Sequence, residues 1–337
     1  MNLNKNSKSY NATVIAFLVI LLLIGVFMSI SIGSSRISLS EIISAMKQGD
    51  NASKTYRIIN FVRIPRTFAA VLAGCALSAS GAILQSVLNN SLASPNIIGV
   101  NSGAGLFTVL VAAYFSASLY YTTIAAFIGA LLAVLLVYSI ARRTGASRMA
   151  IVLSGVAVSS FIGAITDTVL TLKPDTAIER IAFLIGGFSG ITIDRLSFPA
   201  CFILFALVIA LFLGYDMNIL ALGDESAKSL GLNVARFRFI FLILAAMLSG
   251  SAISFAGLLG FVGLIVPHVS RFLIGYDNRV LLPVSALLGS IFTLLCDLLA
   301  RVLFAPFEIP VGIIMSFLGG PFFIYLLIKG RRGQLYD

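Results

Sequence analysis

From Thr13 to Ile30 the chain runs without one charged side chain, and Ala125 to Ile140 does the same. In hydrocarbon every backbone N–H and C=O needs a partner within the chain, so only helices and closed barrels cross a bilayer. Barrel strands alternate polar and apolar residues, and these runs do not. A spanning helix takes about 20 residues. Segments of that kind recur along the 337 residues, at 12–32, 66–88, 98–115, 119–141, 149–171, 196–213, 236–255, 258–269, 280–302 and 310–328. A shorter amphipathic segment lies at 176–188. The expected fold is therefore an all-α membrane protein of about ten transmembrane helices.

Composition narrows the organisation. With 59% hydrophobic and 11% charged residues, there is no room for a sizeable soluble domain, and residues 1–337 read as one polytopic membrane domain. The polar stretch Met1–Asn11 leads into the first apolar run with no small-residue cleavage site close behind, so that run reads as a retained helix. A net charge of +10 would suggest nucleic acid in a soluble chain. Here it follows from basic loops on the cytoplasmic side, and lipid, not nucleic acid, is the expected surrounding. Those loops carry Arg142, Arg143, Arg148, Lys228, Arg236, Arg238, Arg271 and Arg279. An opposing basic segment, with Arg36, Lys47, Lys54, Arg57, Arg63 and Arg66, falls on the outer side and needs its own reason.

Two stretches share one grammar. Arg63–Gly105 runs from basic residues through Gly74, Ser78, Ser80 and Gly81 to a break at Pro95. Arg236–Pro283 runs from Arg236 and Arg238 through Ser249, Gly250 and Ser251 to Gly257, Gly260, Gly263 and Pro267. Repeats over about 57–171 and 236–330 would be inverted in the membrane, an arrangement frequent in transporters. Small residues also simply let helices approach closely.

Groups able to do covalent chemistry are scarce. There is no phosphate-binding G-x-x-x-x-G-K-[ST] loop and no dinucleotide fingerprint. His268 is the only histidine, and Cys75, Cys201 and Cys296 sit singly in apolar stretches, as small packing residues do. No catalytic or metal-ligating residue is assigned. Charge toward the middle of the apolar segments is sparse: Asp167, and Asp297 with Arg301, one turn apart, where a pair can neutralise itself. The polar island at about 216–236 is more informative. Asp224 and Glu225 would occupy the first turn of a short helix, where carboxylates meet the positive end of the dipole. Ala227 is small, and Gly231 suits a left-handed stop.

This island, Leu220–Ala235, resembles the cytoplasmic coupling loop of permease subunits in type II ATP-binding-cassette importers for ferric siderophores, haem and cobalamin. Further blocks resemble that family in order: Arg63-Ile-Pro-Arg66, Ser80–Gln85, Asn90–Ala104, Gly260–His268, Arg279–Pro283 and Glu308–Gly312. The resemblance implies a subunit that transmits force without reacting, importing a ferric siderophore, or haem or cobalamin, across the inner membrane of a bacterium. ATP and Mg would be bound by two separate ATPase subunits, docked at Gly223, Asp224, Glu225, Ala227 and Gly231. A second permease subunit, identical or paralogous, would complete the pore. An extracytoplasmic solute-binding protein would dock on Arg63, Arg66 and Arg301. The passage would be lined by Ser154, Ser159, Ser160, Thr166, Asp167 and Thr168. An ion-coupled carrier working alone is the alternative from another class.

Overall fold

A computed structural model describes residues 8–33, 53–115, 119–145 and 147–333. Arg36 and Lys47 lie outside them. The described chain is helical: α1 Lys8–Ser31, α2 Lys54–Val87, α3 Val100–Tyr114, α4 Leu119–Arg143, α5 Arg148–Leu172, α6 Ala177–Ile185, α7 Ile193–Phe212, α8 Gly214–Ala221, α9 Asp224–Ser229, α10 Val234–Ala256, α11 Val262–Ile274, α12 Asn278–Val302 and α13 Val311–Gly333. Seven of these are long and apolar enough to cross a membrane, and three shorter apolar helices, α3, α11 and Val311–Tyr325 of α13, complete the ten expected segments.

Small residues decide which helix lies at the centre. Along α2 nearly every position from Ala69 to Val87 is alanine, glycine, serine or a buried aliphatic. A methyl group on Gly74 would overlap the carbonyl oxygen of Gly289 in α12, and one on Gly81 would overlap that of Gly263 in α11. Backbones meet here because no side chain stands between them, the main means of tight packing where lipid removes the hydrophobic drive. Ser80 Oγ donates to Ala245 O of α10 at 2.8 Å, so the two stretches that echo each other in sequence also touch. At the periphery α1 rests on α12, with Leu18 against Leu281 and Val284, and exposes Phe17, Ile20, Leu23 and Phe27 as a lipid-facing helix does.

Three boundaries differ from the sequence reading. α2 starts at Lys54 rather than near 66, passing Pro65 through a wide π turn at Ile59–Arg63. Proline lacks an N–H and its ring crowds the carbonyl four residues back, and the wider turn relieves that conflict without ending the helix. The segment placed at 258–269 begins at Val262. Gly257 (φ +69°) and Phe261 (φ +65°) hold an extended link, in which Leu258 N donates to Phe183 O at 2.8 Å. Part of the island at 216–236 is the separate helix α8, pinned by a 2.8 Å bond from Asn218 Nδ2 to Asp277 Oδ1.

Candidate functional site

At the end of the molecule carrying Arg142, Arg143 and Arg279, α9 hangs between two left-handed glycines, Gly223 (φ +111°) and Gly231 (φ +85°). Gly231 N donates to Lys228 O at 2.9 Å and Leu232 N to Ala227 O at 3.0 Å, the bonds that close a helix at glycine. Asp224 and Glu225 form its first turn as expected, but their side chains part. Glu225 is exposed. Asp224 turns back onto the bundle: its Oδ1 lies 2.6 Å from Arg238 Nη2 and 3.2 Å from Arg148 Nη2. Ala227 is fully buried against the bundle, so its small size serves packing within the chain. The surface that α9 offers outward is Glu225, Ser226, Lys228 and Ser229, bordered by an open cavity of about 500 Å³ lined by Ser147–Met149 and Leu222–Ser226.

Nearby, Asp277 caps α12 by accepting from Arg279 N at 3.0 Å. Hydrogen bonds from the Arg279 side chain and from Asn218 hold its carboxyl down at about 2.

At the opposite end Asp297 is fully buried and touches two guanidiniums. Arg66 Nε approaches its Oδ1 at 2.9 Å, and Arg301 Nε its Oδ2 at 3.1 Å. Arg66 also pairs with Glu308. Arg301 extends to α1, donating to Ser29 O at 3.0 Å and Ser29 Oγ at 2.7 Å. Arg63 donates to Ile30 O at 2.8 Å and Ser31 O at 2.7 Å. Arg63, Arg66 and Arg301, the residues expected to meet a solute-binding protein, thus all have partners within the chain. Each is almost wholly buried in the single chain, held by helix-end carbonyls and Asp297. Of this network only the Glu308 carboxylate reaches outward, over a cavity of about 720 Å³ that Arg66, Arg195, Phe183, Phe188 and Phe255 help to line.

The six polar candidates of α5 divide by face. Ser160, Asp167 and Thr168 are exposed, Ser154 and Thr166 point into the bundle, and Ser159 is half-buried. Thr166 Oγ1 bonds Ile162 O at 2.9 Å and so serves its own helix. The exposed set continues through Ala157, Ala164 and Thr171 at helical spacing, among the large apolar side chains of Leu153, Val156 and Phe161, which are exposed as well. A carboxylate on this stripe is costly against lipid, so this face suits protein or water.

Sequence reasoning missed Arg148 and Arg238 as partners of Asp224. Arg238 stands between Phe237 and Phe239 inside an apolar helix, and a charge so placed needs a counter-charge. That was the available signal.

Known proteins bear on this geometry. The pattern of the FecCD transport family matches residues 21–329. The chain belongs to that family. It is 37% identical, over 93% of each chain, to the Fe(3+)-citrate import system permease protein YfmD of Bacillus subtilis (strain 168). It is 34% identical to the hemin transport system permease protein HmuU of Yersinia pestis, over 97% of this chain and 98% of that one. Its fold matches a solved inward-facing conformation of a metal-chelate type ABC transporter with a TM-score of 0.84, at 29% identity over 94% of this chain and 99% of that chain. This FecCD permease is thus the multi-pass, non-catalytic membrane subunit of an ABC importer.

Proposed function

We propose that the chain imports a ferric chelate of the siderophore or citrate class. The observation that carries this reading is full-length similarity to a permease named for Fe(3+)-citrate import. Haem is the second reading, favoured by comparable coverage of a hemin permease. In this reading two permease subunits face each other across the stripe Ser160, Asp167, Thr168 and Thr171, which is exposed in the single chain. A weakly binding, mostly uncharged wall suits a bulky cargo, because a site holding it tightly would slow release. Two ATPase subunits carrying ATP and Mg sit against the outward face of α9, whose carboxylate Glu225 is open to them. A solute-binding protein docks over the Glu308 end, and Arg63, Arg66 and Arg301 shape that surface from beneath.

Uptake of radioactive iron, presented as a panel of ferric siderophores and ferric citrate, tests the cargo in cells with and without the gene. Loss of one chelate class on deletion, restored by the gene, supports the reading. Unchanged iron uptake together with loss of haem uptake moves the assignment to haem.

A further inference from the structure

We infer that Asp224 is a relay inside the permease rather than a contact for the ATPase: it passes displacement of α9 to α5 through Arg148 and to α10 through Arg238. This rests on the reading of α9 as the ATPase-facing helix.

The backbone alone connects α9 poorly. Gly223 and Gly231 flank it, both left-handed and both with open space where a side chain would be. A six-residue helix between two such joints can tilt without moving its neighbours. Two features tie it sideways: the buried Ala227 and the carboxylate of Asp224. One oxygen, Oδ1, meets both guanidiniums. Arg238 is fixed, since its side chain is only 2% exposed within α10. Arg148 is the first residue of α5, the helix with the exposed polar stripe, and its Nη2 also reaches Leu220 O of α8 at 3.3 Å. A push on Glu225 or its exposed neighbours therefore reaches α5 through a charged contact at the end of that helix. Charge-assisted contacts of this kind are short and directional, so they carry position as well as attraction. Energetic coupling between sites is typically worth about 5- to 150-fold in the linked equilibrium.

The test uses the permease assembled with its ATPase and binding protein in proteoliposomes, reading ATPase co-purification, ATP hydrolysis and cargo taken up per ATP. Arg148→Gln and Asp224→Asn are expected to keep the ATPase bound and hydrolysing while uptake per ATP falls about tenfold. Arg148→Lys, which keeps the charge, should recover most of it. Wild-type uptake per ATP in both neutral variants overturns the relay, and so does loss of the ATPase from them, which would make Asp224 a docking residue. Should Asp224→Asn fail to accumulate, Arg148→Gln decides, because Arg148 is the less buried of the two arginines, 24% exposed against 2% for Arg238. Glu225→Arg probes the underlying reading separately: if it leaves co-purification and uptake intact, α9 is not the ATPase-facing helix, whatever the relay variants do.

Discussion

The two ends of this permease repeat one motif in opposite settings: a single aspartate held by two arginines. At the outer end Asp297 joins Arg66 and Arg301 with its side chain fully buried. At the inner end Asp224 joins Arg148 and Arg238 with its side chain 37% exposed. The chemistry is the same and the burial is not, and burial decides what breaking each would do. A buried charge stripped of its partner stays desolvated and uncompensated. An exposed one recovers much of the loss from water and is screened. The outer cluster is therefore a condition of folding, tying α1, α2 and α12. The inner cluster is half open: its carboxylate meets water while Arg238 does not, so cutting it should cost less than cutting the outer one.

The comparison breaks first at Asp297. Asp297→Ala leaves Arg301 and half of the Arg66 contacts unmatched inside the bundle, and a loss of about 3–5 kcal/mol is expected. Thermal unfolding of the purified chain in detergent would show it, as would poor accumulation in membranes. A melting curve close to wild type would mean that the cluster is wetter than its burial indicates. Next comes Gly81→Val, where the added carbons meet the Gly263 carbonyl. Overpacking of this kind costs about 1–3 kcal/mol and displaces α11 from α2. The same assay reads it, and Gly260→Val, with open space around it, is the matched control.

The helices were legible and their ends less so. Unbroken apolar runs announce spanning segments directly, and the glycine stop at Gly231 appears where its sequence context places it. The sequence places the start of α2 twelve residues late, at 66 rather than Lys54, because nothing local reveals that a π turn upstream carries the helix past Pro65. The direction in which the outer arginines point was illegible for a different reason. Arg66 finds Asp297 across 231 residues and Glu308 across 242, so whether it faces a partner or the interior depends on packing that only the folded bundle defines. Asp224 and Glu225 look equivalent in sequence. One position of helical rotation turns the first onto Arg148 and Arg238 and leaves the second in solvent.

A smaller effect sharpens the inner half of the comparison. Asp277 caps α12, and its depressed carboxyl means that this stabilisation is present above the ordinary carboxylate range and lost as pH falls through about 2. Removing a cap costs about 1 kcal/mol, so Asp277→Ala should lower the midpoint of detergent unfolding slightly at neutral pH. The gap between wild type and variant should close under strong acid. A gap that stayed constant with pH would assign the loss to something other than the ionised cap.

The change at Asp224 carries the most weight for the contrast. Asp224→Asn keeps an oxygen acceptor but removes the charge facing Arg238, whose side chain is 2% exposed, so the loss should exceed the roughly 0.2–1 kcal/mol of an exposed pair and stay below the about 3–5 kcal/mol of a fully buried one. Its unfolding curve should lie between those of wild type and Asp297→Ala in the same assay. A large destabilisation at Asp224 would make the inner cluster a second structural pin and remove the distinction between the two ends. A small one leaves a contact that contributes little to folding although it is held by a fully buried arginine. Such a contact can carry the displacement of α9 to its neighbours without being the pin that holds the bundle folded.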